Sequence, residues 1–289
     1  MFKNSGVAII TPFKNNNIDY DSLGMIVKNQ LESGTSAIIA NGTTAEASTL
    51  TDEEKFQVLE FIINEVGGRI PVIAGVSSND TAKVIKEIQL INKLAVSGLM
   101  ICPPYYNKTS ELGLIKHFEF IMEHTDLPII LYNIPSRCGI GFSLETLVTL
   151  SYNKQVVGVK EASGDISFTA KVIRNIDKSV KVYSGNDDQI LPILSIGGAG
   201  VISATANIIP KEVSNLCISF ESGDVQKALE IHTKLLNFTN SVFNEVNPIG
   251  VKAIMSALNL CENELRLPLV CASAENHHQL VNLFKEIST

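Results

Sequence analysis

The sequence predicts an α/β protein, a closed (β/α)8 TIM barrel of parallel strands followed by a C-terminal helical appendage. Eight short apolar runs, rich in β-branched residues, each precede an amphipathic stretch. The runs are almost continuously apolar, which is typical of strands covered on both faces. Strict alternation over this length favours a barrel over an open doubly wound sheet, and no G-x-G-x-x-G pattern follows the first run.

Each strand and the helix that follows it can be located on the chain. The predicted strands are VAIITPF, SAIIANG, PVIAGV, LMICPPYY, PIILYNIP, VVGVKEAS, VKVYSG and GVISAT. Helices are predicted after them over residues 21–33, 52–66, 81–95, 111–124, 144–150, 166–176, 187–196 and 211–222. The second helix opens with T-D-E-E, a helix-start pattern with acids in the first turn. Glycines that suit left-handed helix caps follow several helices, namely Gly34, Gly67, Gly68, Gly98, Gly197 and Gly198.

The strand pattern ends near residue 223. Segments 224–246, 250–260 and 275–287 have the periodicity of helices, and Pro248 separates the first from the second. We therefore expect two domains, a (β/α)8 barrel over residues 1–223 and an α-helical domain over residues 224–289.

Composition excludes several classes of function. A net charge of −7 disfavours binding to nucleic acid or to an anionic membrane. No apolar run is long enough to span a bilayer, and the N-terminus lacks the pattern of a signal peptide. The five cysteines are widely spaced without a C-x-x-C pair, and the five histidines form no metal-binding pattern. These features predict a cytoplasmic protein without a disulfide framework or a zinc site.

Lys160 is the first candidate for chemistry, because functional side chains of a barrel lie at the carboxyl ends of its strands. It ends the apolar run VVGVK, whereas the other lysines fall mostly on predicted helix faces or turns. Burial lowers the pKa of a lysine, and its neutral amine can attack a carbonyl carbon. The alternative is a lysine at the rim that reaches solvent or pairs with Glu161.

Three other strand ends carry hydroxyl, aromatic or basic side chains. The second ends N-G-T-T-A-E, whose hydroxyl and backbone N–H groups either hold a carboxylate or cap a turn. The fourth ends P-P-Y-Y-N, where Tyr105 and Tyr106 form an aromatic platform or pack at a subunit interface. The fifth ends L-Y-N-I-P-S-R, where Tyr132 could transfer a proton and Arg137 suits a substrate carboxylate or a surface salt bridge.

The last two strand ends, S-G-N-D and G-V-I-S, contain glycines that allow close approach of a ligand. Barrels often bind phosphate at these loops, but neither loop carries a lysine or arginine beside its glycines. A lysine in the barrel, hydroxyls around it, one arginine and no metal-ligand pattern together predict Schiff-base chemistry on a keto acid.

The same motifs resemble a known family. The patterns G-T-T-x-E, P-Y-Y-N, Y-N-I-P-S-R and G-x-K-E-A-S occur in this order on the predicted strands. With GVAIITPF near the start and NPIGVK and LRLPL near the end, they closely resemble the 4-hydroxy-tetrahydrodipicolinate synthase family over the whole chain. That family belongs to the pyruvate-dependent aldolases, which include N-acetylneuraminate lyase. The resemblance implies no cofactor, and a homo-oligomer, commonly a homotetramer built from two tight dimers.

The resemblance implies catalytic roles for four residues. Lys160 would form the Schiff base with pyruvate. Tyr132 would donate and accept protons, linked through Thr43 to Tyr106. In the family, that second tyrosine reaches across a dimer interface into the neighbouring subunit's site.

It also implies residues that bind the two substrates. Thr44 and the backbone at Ile202 would bind the carboxylate and keto group of pyruvate, and Arg137 would bind the carboxylate of L-aspartate 4-semialdehyde. Gly185 and Asn247 match positions near the site. The product would be (4S)-4-hydroxy-2,3,4,5-tetrahydrodipicolinate plus water, in lysine synthesis through diaminopimelate.

Arg137 discriminates between the family and its relatives. Sialic-acid lyases resemble this chain at Y-N-I-P but usually lack the arginine two residues later. A lyase of that type or a sugar-acid aldolase is one alternative. A barrel that binds a keto acid without turnover is another, and retention of Lys160, Tyr132, Thr43 and Tyr106 argues against it. The placement of the histidines disfavours a metal-dependent aldolase.

Two positions near the site depart from the family pattern. Ala45 stands where the family usually has glycine, and alanine would be strained if that position required a positive φ. Cys138 stands where threonine is common, next to Arg137, and its thiol could make the site sensitive to oxidation.

The positions that match the lysine-binding regulatory site of the family also differ. Lysine-inhibited members use a glutamate and histidines there. Lys83 would repel the ammonium group of lysine where an acid should attract it, so we expect weak or absent feedback inhibition. The matching positions here are Ser48, Asp52, Lys55, Asn79, Lys83 and Tyr105.

Overall fold

The structure, a computed structural model, describes residues 1–288. Its strands are β1 (Asn4–Ala8), β2 (Phe13–Lys14), β3 (Asn17–Ile18), β4 (Ala37–Ala40), β5 (Val72–Gly75), β6 (Gly98–Ile101), β7 (Ile129–Asn133), β8 (Val156–Glu161), β9 (Lys181–Ser184) and β10 (Gly200–Ser203). Eight of them, β1 and β4 to β10, are parallel and close into a barrel, in which β1 pairs with both β4 and β10. The predicted fold class is confirmed.

Helices surround the barrel and alternate with its strands. They are α1 (Tyr20–Glu32), α2 (Asp52–Val66), α3 (Thr81–Ile91), α4 (Glu111–Met122), α5 (Pro135–Cys138), α6 (Leu144–Ser151), α7 (Ile166–Asn175), α8 (Ile190–Ser195), α9 (Pro210–Glu221), α10 (Val225–Val242), α11 (Ile249–Ala257) and α12 (Ala274–Ser288). The T-D-E-E pattern predicts the start of α2 correctly: Thr51 and Glu54 form a reciprocal capping box.

Three predicted details are wrong. Gly198 is not a left-handed helix cap, because its φ is not positive, whereas Gly197 before it has a φ of 102°. The first strand lies earlier than VAIITPF, because the chain leaves the barrel after β1, Pro12 has no N–H to donate, and Phe13 instead pairs with Ile18 in the small β2–β3 hairpin. Gly98 is not a helix cap. It begins β6, where a Cβ would lie 2.8 Å from the Pro128 carbonyl oxygen, so its lack of a side chain serves close strand packing.

The C-terminal helices α10, α11 and α12 follow the barrel as the sequence predicts, and α10 packs on both α9 and α12. The division of the chain into two domains at residue 223 stays a prediction. Within residues 1–288, no helix is both long and apolar enough to cross a membrane.

The barrel interior forms its own buried cluster, separate from the core between strands and helices. Phe2 and Tyr183 stack with ring centroids 4.5 Å apart, and the Tyr183 hydroxyl donates to the Phe2 carbonyl at 2.6 Å. Because Phe2 precedes β1, this pair closes the end of the barrel at which the strands begin. The functional site is therefore expected at the opposite end of the barrel, where the strands finish.

Candidate active site

Lys160 lies inside the barrel near the end of β8, with only 5% of its surface exposed. Its register partner on β7 is Tyr132, and the Lys160 Nζ is 4.4 Å from the centre of the Tyr132 ring. Burial, helped by the charge of Arg137 and opposed by that of Asp187, lowers the pKa of Lys160 to about 8. Part of the population therefore carries a neutral, nucleophilic amine near neutral pH.

Glu161, the alternative partner, engages other groups. Its carboxylate accepts from the Asn133 amide at 2.7 Å and from the Ser163 backbone N–H at 2.6 Å. Within residues 1–288, no carboxylate forms a salt bridge with Lys160. The structure therefore excludes the alternative that Lys160 is a rim lysine paired with Glu161.

Tyr132 is a buried phenol with one polar partner. Its side chain is hydrogen-bonded to that of Thr43, which begins the 3-10 turn after β4. Burial raises the pKa of Tyr132 well above its ordinary value, so the phenol keeps its proton at physiological pH. A neutral hydroxyl beside an amine can give a proton to a leaving oxygen and take one back.

Asn247 joins the second strand end to the fifth. Its side-chain amide donates to the Thr44 hydroxyl at 3.0 Å, and its carbonyl accepts from the Arg137 guanidinium at 3.1 Å. Asn247 precedes α11, so a residue from the C-terminal helices fixes two loops of the barrel. Arg137 itself lies in α5, which follows β7, and it is exposed and lines the cavity at this end of the barrel.

The left-handed residue of the G-T-T-A-E segment is Glu46 (φ 54°), and Ala45 lies in the preceding 3-10 turn. The condition under which alanine would be strained at position 45 is therefore not met. Ala45 is fully buried instead, so its methyl group fills space in the core.

A buried ion pair anchors this segment, and the sequence arguments did not find it. Lys252 on α11 and Glu46 are both essentially inaccessible, with Nζ and Oε1 2.5 Å apart. Glu46 also accepts from the Arg266 backbone N–H at 3.0 Å. The Phe13 ring lies under both cations, 4.0 Å from the Lys252 Nζ and 4.5 Å from the Arg266 guanidinium carbon. The only signal in the sequence is a lysine inside the apolar stretch IGVKAIM.

A second missed residue, Asp187, anchors the loop after β10. It is buried, and its carboxylate accepts from the backbone N–H groups of Ala204 and Thr205 at 3.1 and 3.2 Å. Burial raises its pKa, while these hydrogen bonds oppose that shift. Asp187 thereby fixes the segment that follows Ile202.

One cavity of about 730 Å³ opens at this end of the barrel. Its wall includes Thr43, Tyr132, Arg137 and Asn247 among the predicted substrate-site residues. Thr44, Lys160 and Ile202 lie buried behind the wall. At Gly185, which is also outside the wall, a Cβ would lie 2.6 Å from that of Ala162, so only glycine fits the packing there.

Tyr106 is not part of this constellation within one chain. Its side chain is 90% exposed, and its backbone has a φ of 71°, which is rare for a residue other than glycine. Tyr105 is half-exposed and lines the cavity.

The cavity continues to most of the predicted regulatory positions, Ser48, Asp52, Lys55, Lys83 and Tyr105. Asn79 is outside the wall, and its carbonyl accepts from the Asn107 amide. Two residues not singled out from the sequence, Lys86 and Glu87, also line this end. Lys55 and Glu87 form a salt bridge of 3.4 Å, so one acid at this end is already paired.

The fold and this site together define a class, the parallel barrels with a desolvated lysine at the carboxyl end of a strand. The chain matches the model of the dihydrodipicolinate synthetase family over residues 1–287. It is 45% identical over 286 residues to the 4-hydroxy-tetrahydrodipicolinate synthase of Alkaliphilus oremlandii, covering 99% of each chain.

Two further relatives agree. The Clostridium tetani enzyme of the same name is 46% identical over 289 residues, covering 100% of this chain and 97% of the other. The crystal structure of dihydrodipicolinate synthase from Thermotoga maritima has a TM-score of 0.98 at 40% identity, covering 100% and 99% of the two chains. The chain belongs to the dihydrodipicolinate synthetase family, and the resemblance inferred from its motifs is confirmed.

Proposed function

We propose that this protein condenses pyruvate with L-aspartate 4-semialdehyde to (4S)-4-hydroxy-2,3,4,5-tetrahydrodipicolinate and water, in lysine synthesis through diaminopimelate. The observation that carries the proposal is the buried Lys160 amine, held against the Tyr132 phenol beside a cavity with Arg137 at its wall. Family membership and the names of the relatives support the reaction.

Lys160 supplies the covalent chemistry. Its neutral amine attacks the keto carbon of pyruvate, water leaves, and a Schiff base forms. Loss of a methyl proton gives the enamine, whose carbon attacks the aldehyde of the second substrate. The amino group of the adduct then attacks the imine carbon and releases Lys160, so the enzyme is regenerated without an added cofactor.

Tyr132 moves the protons of these steps. Its neutral phenol can protonate the departing hydroxyl of the carbinolamine, and the hydrogen bond to Thr43 orients it. The Tyr106 hydroxyl of a second subunit would complete this series of proton-transferring groups. Its exposed side chain and left-handed backbone support that role, because a strained residue is retained where its placement matters.

The binding roles are those that the family resemblance implies. Thr44 and the Ile202 backbone bind pyruvate, and Arg137 binds the carboxylate of the semialdehyde through its planar fork of donors. Asn247 holds Thr44 and Arg137 in register through its two hydrogen bonds. Gly185 provides the close packing of the loop after β9 against Ala162.

The assembly we propose is a homotetramer, a dimer of dimers in which each Tyr106 enters the partner's site. Mixing inactive Lys160→Ala with inactive Tyr106→Phe subunits tests the entry of Tyr106 into the partner's site, because mixed dimers would contain one intact site and regain activity. Five cysteines without a disulfide among residues 1–288 support a cytoplasmic location.

The reaction is tested by mass spectrometry of products from pyruvate with L-aspartate 4-semialdehyde, beside N-acetylmannosamine as the competing aldehyde acceptor. We expect turnover of the semialdehyde that is lost in Lys160→Ala. Consumption of N-acetylmannosamine without a semialdehyde product would instead show a sialic-acid-type lyase.

A further inference from the structure

Two cysteines face each other in the wall of the active-site cavity. Cys102 follows the last residue of β6, and Cys138 ends α5, directly after Arg137. Both belong to the buried cluster inside the barrel that contains Tyr132, and both line the cavity. The two thiols are neighbours there, because each is the largest influence on the pKa of the other. They are therefore two reducing groups in contact at a place that small solutes can reach.

The other cysteines differ from this pair in position and chemistry. Cys217 and Cys261 lie in the core between strands and helices, and burial raises their pKa to about 12 and about 11. Cys271 is exposed, and its thiol donates to the Asn263 carbonyl. Among these residues, none has a second thiol as its hydrogen-bond partner.

The two thiols also differ in how readily they lose a proton. The hydrogen bond from Cys138 lowers the pKa of Cys102, and the same bond raises the pKa of Cys138. The charge of Arg137 opposes the shift at Cys138. Cys102 is thus the sulfur that carries negative charge more readily, and thiolate is the form that attacks oxidants.

We propose that Cys102 and Cys138 are a dithiol oxidation site, which peroxides convert to an intramolecular disulfide that disables the Arg137 side of the active site. The Cys102 thiolate attacks one oxygen of hydrogen peroxide, the O–O bond breaks, and hydroxide leaves. The sulfur of the Cys138 thiol then attacks the sulfenic sulfur, the S–O bond breaks, and the oxygen leaves as water with the proton of that thiol. Overall, two thiols and one peroxide give one disulfide and two waters.

The effect on the site follows from bond length. A disulfide has an S–S distance of about 2.05 Å, far shorter than a hydrogen bond between two thiols. Forming it draws the end of α5 toward β6. Arg137 is the residue directly before Cys138, so it moves with the end of α5 and away from its 3.1 Å hydrogen bond to the Asn247 carbonyl. A shift of about 1 Å in a substrate-binding group costs up to about 100-fold in rate.

The experiment treats the full-length protein with hydrogen peroxide under native conditions, then alkylates free thiols in denaturant and maps peptides by mass spectrometry. We expect a cross-linked peptide pair containing Cys102 and Cys138, with two hydrogens lost, that dithiothreitol reverses. Cys138→Ser, with Cys138→Thr as a second variant, should form no cross-link and should retain more turnover after peroxide. Cys271→Ser is the matched control and should behave like the unmodified chain.

The effect on turnover rests on the proposed function, whereas the cross-link does not. Recovery of Cys102 and Cys138 as free thiols after Cys271 has been fully oxidised would overturn the proposal. A cross-link that leaves semialdehyde turnover unchanged would overturn its effect on Arg137. A protein that forms the cross-link but never turns over the semialdehyde would retain the dithiol site and contradict the proposed reaction.

Discussion

Lys252→Met removes one charge of the buried pair with Glu46 and leaves the other in place. The Glu46 carboxylate would keep only the Arg266 backbone N–H, and both side chains of the pair are almost fully buried. Breaking a buried ion pair in this way costs about 3–5 kcal/mol in the free energy of unfolding. For a chain of this size that lowers the melting temperature by roughly 6–10 °C.

Thermal unfolding at one fixed protein concentration measures this cost, because an oligomer's melting temperature depends on concentration. The double variant Glu46→Gln with Lys252→Met should lose less than the sum of the two single variants, since no uncompensated charge remains. Lys227→Met is the matched control, because its pair with Glu230 is half-exposed and 3.4 Å long, and no measurable change is expected. If Lys252→Met has the same melting temperature as the control variant, the buried pair does not anchor the segment.

Three further predictions concern activity. The rate of borohydride trapping of pyruvate should rise with pH, with a half-maximal rate near pH 8, because the pKa of Lys160 is lowered to about 8 and the protonated amine cannot attack. A half-maximal rate near pH 10 would indicate an ordinary lysine. Arg137→Ala should raise KM for the semialdehyde by roughly 10- to 100-fold, because it removes a hydrogen bond to a charged group, and it should leave pyruvate trapping unchanged. An equal effect on the binding of both substrates would contradict the assignment of Arg137 to the semialdehyde carboxylate. Added lysine should inhibit weakly or not at all, because Lys83 and Lys86 line the regulatory end of the cavity and Glu87 is paired with Lys55. Half-maximal inhibition at sub-millimolar lysine would refute this.

The sequence predicts correctly that Lys160 and Tyr132 lie at the same end of the barrel. Parallel strands bring their carboxyl ends to the same edge, so residues at matching strand ends become neighbours whatever their separation along the chain. Lys160 and Tyr132 end consecutive strands of the predicted barrel and are register partners in the structure. The chemistry at that edge follows from which side chains stand there.

The contacts made by the C-terminal helices could not be predicted in this way. Lys252 and Glu46 are 206 residues apart, and Asn247 and Thr44 are 203 apart. Neither contact follows from strand order, because it depends on how α11 packs over the mouth of the barrel. The role of Gly98 could not be predicted from its local sequence either, because a glycine between a helix and a strand can cap the helix or allow close packing of the strand.

The central claim is that the Lys160 amine is the group that bonds to pyruvate. Reduction with borohydride in the presence of pyruvate, followed by peptide mapping, tests it most directly. The account predicts one adduct, on Lys160, that is absent from Lys160→Ala and forms at no other lysine. An adduct on Lys252, the other buried lysine, or full turnover by Lys160→Arg without any adduct would contradict it.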